Sequence, residues 1–552
     1  TVFREQQFAA AMGSEAVARI DSVDRLRGAQ FPEDAGPTAH PVRPSEYVEI
    51  NNFYTPTVYN KGAEVVRMQH TLLGAETFRR GADLYFQRFD GQAVTVEDFV
   101  TCMEEASGRD LAQFRRWYSQ AGTPELEVAG DFDADKGEYR LHVRQSCPPT
   151  PGQPDKAPFH IPLRMGLLDE SGEPLSLHLE GESGDGELEK TLEVTEPEQT
   201  FVFRHVSSRP IPSLLRGFSA PVKLGFDYTD EELAFLMARD TDAFNQWEAG
   251  QRLAIRVLLR LVERWQTGEE LVLDENFADA FGKVLKQGGD PSLTAEALRL
   301  PSETYLAEQM ETVDVDGIHA AREFLRRALG ERFQESLLKH YRTLAETAVG
   351  ADSEAIAARK LRNACLGFLM ALEDPVVISL CDSQFSHADN MTDSIAALGL
   401  LAHTDCEEGR EALHAFYKRW KDDPLVMDKW LAVQATSPLP GTLDRVQVLM
   451  DHPVFDIRNP NRVRALIGSF ARGNPVQFHA ASGEGYRFVA DQVLTLDAFN
   501  PQVAARLAGT FNQWKRFDEQ RQSLAQKELE RMQAHPGLSR DVYEVVSKAL
   551  AA

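Results

Sequence analysis

Tyr59 is the residue in this sequence best suited to stabilise a developing negative charge. It lies in Asn51-Asn52-Phe53-Tyr54-Thr55-Pro56-Thr57-Val58-Tyr59-Asn60-Lys61-Gly62-Ala63, which holds two tyrosines, an amide pair, a proline and a glycine just ahead of a helical pattern. A phenol with a pKa near 10 stays protonated at neutral pH and can donate a hydrogen bond to an oxyanion as it forms. The same residues also suit a turn whose tyrosines pack on the following helix. Two further stretches carry arginines at helix starts: Asn459-Pro460-Asn461-Arg462-Val463-Arg464, and Asn500-Pro501-Gln502-Val503-Ala504-Ala505-Arg506. Each sets Asn before Pro where a helix begins and an arginine about one turn further in. A fixed guanidinium there can hold a peptide carbonyl or carboxylate, or pair with one of the chain's many carboxylates. The 14 histidines are scattered, and no two stand four apart, so no H-E-x-x-H metal helix is present. His403 and His414 have no companion carboxylate pattern, and Met427 and Trp430 read as packing residues.

The elements that must position these residues fall into three blocks. Residues 1–122 read as helical. A helix over Ala16–Gln30 is followed by a proline-rich loop from Phe31 to Pro44, in which His40 is a connector. Gly62 to Leu73 and Glu76 to Phe89 carry apolar residues at helical spacing. Thr95 ahead of Val96-Glu97-Asp98 is an N-cap, Gly108 ends that helix, and Asp110 caps the next. From Thr123 the pattern alternates as half-buried strands do, over Leu126–Val128, Tyr139–Val143, His160–Leu168, Leu175–Leu179, Leu188–Val194 and Thr200–Val206. Turns rich in Gly, Pro and Asp separate these runs, so 123–222 is expected to be a small β-sandwich that spaces two larger parts. Residues 223–552 are helical again with short connections. Phe333, Leu337, Leu338, Tyr341 and Leu344 form one apolar stripe, and Ser539 caps a last helix, which suggests a solenoid-like superhelix without a strict repeat. The fold class is therefore multidomain α+β.

Composition narrows the function. At 552 residues the chain has room for three or four domains, and 43% hydrophobic with 26% charged residues is ordinary for globular material. A net charge of −26 argues against nucleic acid or an anionic membrane as a partner. Five cysteines without a C-x-x-C pair suit a reducing cytoplasm rather than a disulfide framework. No cationic leader with an apolar core stands at Thr1, and no apolar run reaches the roughly 18 residues that span a bilayer.

Asn51 to Ala63, with Glu64-Val65-Val66-Arg67-Met68 and Leu72-Leu73-Gly74 after it, resembles the aminopeptidase N family of zinc metallopeptidases. The resemblance continues through Phe114-Arg115-Arg116-Trp117-Tyr118-Ser119-Gln120-Ala121-Gly122-Thr123-Pro124 to the C-terminus and is nearest the bacterial alanyl-aminopeptidase branch. It implies that residues 1–122 are the helical half of a thermolysin-like domain and that Tyr59 faces the scissile carbonyl across from a zinc ion. It also implies that Asn51, Tyr54 and Gln502 line the pocket for the substrate's first residue, with Arg464 and Arg506 near the downstream peptide. Small peptides with a broad choice of N-terminal residue, including Ala, are the implied substrates. The family binds zinc through H-E-x-x-H and a glutamate about eighteen residues later. Neither is present here, and Thr1-Val2-Phe3-Arg4 resembles the family's residues just after that glutamate. The expectation is thus the C-terminal part of a larger enzyme. By itself it would be inactive, and the missing N-terminal part would be its partner. A non-catalytic helical scaffold that binds a peptide or protein is the alternative.

Overall fold

Pro32 does not break the helix it falls in. In the computed structural model, which describes residues 1–182 and 184–551, helix α2 (Glu15–Arg25) runs through a π turn (Leu26–Gln30) into a short α3 (Phe31–Asp34). Pro32 stands in the first turn of α3, directly after the π turn. The loop expected from Phe31 therefore begins only after Asp34, and its first four residues are helical.

The other helices of this block are α1 (Val2–Met12), α4 (Gly62–Leu73), α5 (Ala75–Phe89), α6 (Val96–Ser107) and α7 (Arg116–Ser119). Thr95 and Asp98 form a reciprocal capping box ahead of α6, and Gly108 closes it with φ +68°. Asp110 caps an irregular turn, and the helix expected to follow it is confined to α7.

Among the described residues eight strands follow: β1 (Glu125–Asp133), β2 (Glu138–Ser146), β3 (Ile161–Leu168), β4 (His178–Leu179), β5 (Lys190–Val194), β6 (Glu198–Arg204), β7 (Ile211–Leu214) and β8 (Lys223–Phe226). They form a five-stranded sheet, ordered β4-β6-β2-β1-β8, and a three-stranded sheet, ordered β5-β3-β7. Along β2, Tyr139, Leu141 and Val143 are buried while His142 and Arg144 face out, as one-sided burial requires. Strand β3 is buried almost throughout, being central in its sheet with α4 packed close by. At its start the Trp117 indole N–H donates to the His160 carbonyl at 2.8 Å, and the Trp117 and Phe159 rings lie 4.4 Å apart.

These helices and strands make one compact unit, Thr1–Tyr47 with Phe53–Arg252; the second unit is Val48–Asn52 with Leu253–Ala552. Within the first unit, buried arginines join helix to sandwich. Arg19 donates to the carbonyls of Gly217 and Phe218, both at 2.9 Å, and pairs with Glu64. Arg19 and Arg27 both lie over the Phe218 ring. Leu215 and Phe218 hold positive φ (58° and 54°), a conformation worth roughly 1–3 kcal/mol of strain per residue unless neighbours enforce it. The guanidinium of Arg19 is the enforcing contact at Phe218.

The second unit is helical, and many of its helices begin on Asp, Asn or Ser. Asp274, Asp290, Ser302, Asp314, Asp352, Asp374, Asn390, Asp423, Asn459, Asn500 and Asp518 each accept a backbone N–H in the first turn. Part of the chain's acidity is thus spent on caps, where the helix dipole favours a negative group. The long helix Val315–Thr347 bends at Phe333 and packs on Ser353–Met370. There a Cβ at Gly330 would lie 2.6 Å from the Phe368 carbonyl, so only glycine fits. Among the described residues no helix is long and apolar enough to cross a membrane.

Arg109 and His160 both donate to Glu193 on β5, at 2.5 and 2.9 Å, tying the helices to the sandwich. The hydrogen bond from His160, then that from Arg109, holds the Glu193 carboxyl at about 2, against an ordinary value of 4.5. A depressed carboxyl stabilises the fold fully above its unfolded value and loses that contribution as pH falls through its folded one. Glu193→Gln is therefore expected to lower stability near pH 7 in denaturant melts, with the difference from the parent shrinking as pH falls from 4.5 to about 2.

Candidate active-site turn

Tyr59 projects from a π turn, Thr57–Lys61, that runs directly into α4. Pro56, with φ −54°, presets the entry, and the Gly62 N–H reaches back five residues to the Thr57 carbonyl. Two adjacent acids of α3 hold the ends of this turn. Glu33 Oε2 accepts both the Thr57 N–H (2.9 Å) and the Thr57 hydroxyl (2.6 Å). Asp34 Oδ2 accepts from Lys61 Nζ at 2.7 Å and from the Thr123 hydroxyl at 2.9 Å. Lys61 Nζ also donates to the Gly122 carbonyl at 2.7 Å. The Lys61 and Asp34 side chains are each 1% exposed. Burial, the largest influence on Glu33, pushes its carboxyl above the ordinary range.

His40 braces the approach to the turn. Its Nδ1 lies 2.8 Å from the Pro41 carbonyl and so carries the proton; Nε2, 3.0 Å from the Thr55 hydroxyl, then accepts from it in the neutral ring. The Thr55 oxygen in turn accepts the Val58 N–H at 3.2 Å. The reading of His40 as a connector is thus extended, since it orders the residues ahead of Tyr59.

Between these anchors Tyr59 is 45% exposed, and among the described residues its hydroxyl has no hydrogen-bond partner. Its ring stacks on that of Tyr54, with centroids 6.3 Å apart and planes 23° from parallel. Tyr54 is itself 56% exposed. The turn thus presents two phenols on a buried polar footing instead of packing them on α4. A neutral phenol with an unclaimed proton can donate to an oxyanion.

The remaining candidate residues belong to the second unit. Asn51 Nδ2 donates to Glu49 Oε1 at 3.0 Å, and its neighbour Asn52 donates to Glu544 Oε2 on the last helix, Arg540–Ala551, at 3.0 Å. Gln502 and Arg506 stand one turn apart on the helix Pro501–Ala508, which packs on that last helix. Both Asn459 and Asn500 are the caps their spacing implied. Arg464 is exposed and folds back on its own turn, donating to the Pro460 carbonyl at 3.3 Å and to Asn461 Oδ1. Arg506 is exposed, and its backbone carbonyl accepts from Arg472. Among the described residues, neither Arg464 nor Arg506 has a carboxylate partner, so the ion-paired alternative does not hold for them. Arg472 completes the cluster. A Cβ on Gly468 would lie 3.7 Å from Arg472 Nη1 and 3.9 Å from Arg464 Cβ. Burial first, and then the Arg506 charge, lowers the Arg472 pKa. The reading of the sequence missed Arg472, although the Asn474-Pro475 pair just after it repeats the Asn-Pro signal of the other two stretches. In a chain of net charge −26, an unneutralised cationic cluster is suited to binding an anion.

Among the described residues no group of three or more His, Cys, Asp or Glu is placed to hold a metal ion. The donor set that zinc requires is thus not found among them.

Residues 1–118 match the Peptidase family M1 domain, 122–227 a domain of unknown function with an Ig-like fold, and 230–551 a companion domain of ARM repeats. The chain belongs to the family of that ARM-repeat domain, which covers more than half of it, and its first 118 residues are similar to the M1 peptidase domain. It is 45% identical over 555 residues to aminopeptidase N of Escherichia coli K12, and 44% identical over 557 residues to that of Caulobacter vibrioides. All of this chain is covered in both matches, but only 63% and 62% of those relatives. A crystal structure of Legionella pneumophila aminopeptidase A in complex with aspartic acid superposes with a TM-score of 0.85 at 30% identity, over 100% of this chain and 62% of that one.

Replacing Lys61 leaves a buried carboxylate uncompensated, which typically costs about 3–5 kcal/mol. Lys61→Met is expected to lower unfolding free energy by that order in urea melts, and Lys61→Met with Asp34→Leu to recover most of it.

Proposed function

We propose that this chain supplies the oxyanion donor and the substrate walls of an aminopeptidase that removes N-terminal residues from small peptides. The observation that carries this reading is the exposed, unpartnered Tyr59 hydroxyl on a turn held from below by Glu33 and Asp34. In the proposed reaction the carbonyl of the first peptide bond becomes tetrahedral, and Tyr59 donates to its oxyanion. Tyr54, Asn51 and Gln502 are the residues assigned by the family resemblance to the substrate's first side chain, with broad tolerance that includes Ala. Arg464 and Arg506, joined by Arg472, hold a carbonyl or carboxylate of the downstream peptide. Zinc is the metal of the resembled family, and no donor set for it is found among the described residues.

The five free cysteines fit a reducing cytoplasm, and the acidic surface disfavours nucleic acid and anionic lipid as partners. The alternative, a non-catalytic helical scaffold that binds a peptide or protein, takes its support from the exposed Arg464 and Arg506, which have no carboxylate partner among the described residues.

Tyr59→Phe separates the two. With the chain joined to the family's metal-binding portion, kcat is expected to fall about 10²–10³-fold, roughly 3–4 kcal/mol, while KM changes little. A variant that keeps most of its turnover removes Tyr59 from the reaction. If the parent shows no turnover once zinc is bound, the scaffold reading stands.

A further inference from the structure

The residues that touch the Tyr59 turn from beneath are not themselves exposed to substrate, and they form a single device. Glu33 and Asp34 are consecutive on α3, yet one takes the first residue of the π turn and the other its last. Glu33 gathers two donors from Thr57 on one oxygen, and Gln30 adds a contact to the Thr57 hydroxyl at 3.3 Å. Asp34 gathers the Lys61 ammonium and the Thr123 hydroxyl. The three residues between these anchors, Val58, Tyr59 and Asn60, include one surface-projecting aromatic, Tyr59. A π turn is rarer than an α turn and aims its side chains differently, so it persists where neighbours over-determine it.

We propose that Glu33 and Asp34 are positioning residues for Tyr59, acting as a two-point clamp that holds the π turn and so fixes where the phenol points. The function of that aim rests on the oxyanion-donor reading given above, but the clamp itself is testable without turnover. Loss of the Thr57–Glu33 contact frees the N-terminal end of the turn and lets it relax toward an α-helical register, which rotates Tyr59. Loss of the Asp34–Lys61 contact frees the other end.

The test places 3-fluorotyrosine at position 59 of the full chain and follows it by fluorine NMR, with 3-fluorotyrosine at Tyr543, an exposed tyrosine of the second unit, as the reference. In the parent, position 59 is expected to give a single narrow line. Thr57→Val, which removes one donor at nearly constant volume, is expected to abolish that single line in favour of a broadened or doubled one. Thr57→Ser, which keeps the hydroxyl, is expected to restore it. Glu33→Ala should disturb the line at least as much as Thr57→Val, and the double variant no more than Glu33→Ala alone, because both remove the same contact. The position-543 line should not move. Asp34→Asn probes the other end; should that variant fail to fold, Thr57→Val and its Ser rescue carry the test. An unchanged position-59 line in both Thr57→Val and Glu33→Ala would overturn the clamp. Failure of the catalytic reading looks different: Tyr59→Phe would then leave turnover intact while the fluorine lines still respond to Thr57.

Discussion

One buried ion pair, Lys61 with Asp34, constrains most of what surrounds the candidate site. Taking an ammonium and a carboxylate fully out of water costs several kcal/mol per ion, which only close geometry and further hydrogen bonds offset. Here the Gly122 carbonyl and the Thr123 hydroxyl supply those bonds, and both belong to the segment that leads into β1. The pair therefore fixes three stretches at once: the end of α3, the start of α4 and the entry to the sandwich. Tyr59 lies two residues before the lysine, so its backbone inherits that fixity while its side chain is left in solvent.

A second set of buried charges does the same for the far end of this region. Glu64, one turn into α4 beyond Lys61, accepts Arg19 at 2.8 and 2.6 Å on its two oxygens. Arg19 in turn holds the carbonyls of the strained Gly217–Phe218 turn, and Arg27 stacks on the same phenylalanine while pairing with Glu248. Burial raises the Glu64 carboxyl, but Arg19 and then Arg67, whose Nε lies 3.5 Å from Glu64 Oε1, more than offset this, and its pKa lies below the ordinary range. The start of α4 is thus pinned to the sandwich by charge at both Lys61 and Glu64. That gives the exposed Tyr59 phenol a rigid base, as the proposed oxyanion donor would require.

Much of this was legible in the residue pattern, and the remainder was hidden for physical reasons. Thr95 with Asp98, Gly108, Asn459, Asn500 and Ser539 were readable because a cap is a local interaction within three residues. The alternation of Tyr139, Leu141 and Val143 was readable because a half-buried strand writes its period into the sequence. The edges of β4 and β5 were not, since pairing partners rather than propensity end a strand. Glu33 and Asp34 passed as loop residues because their partners, Thr57 and Lys61, lie 24 and 27 positions away. A π turn has no propensity signature to separate it from an α turn, so Tyr59 could be singled out but its footing could not. Arg472 was missed for a similar reason: its neighbour Arg506 is 34 residues further on.

Amide hydrogen exchange of the peptide spanning Thr57–Lys61 tests most directly whether a solvent-facing phenol stands on a rigid base. If the buried pair governs the turn, these amides exchange as slowly as those at the start of α4, opening only with the whole first unit. If they exchange in the fast phase of exposed loops while α4 stays protected, the turn is locally mobile and Tyr59 is not held in place.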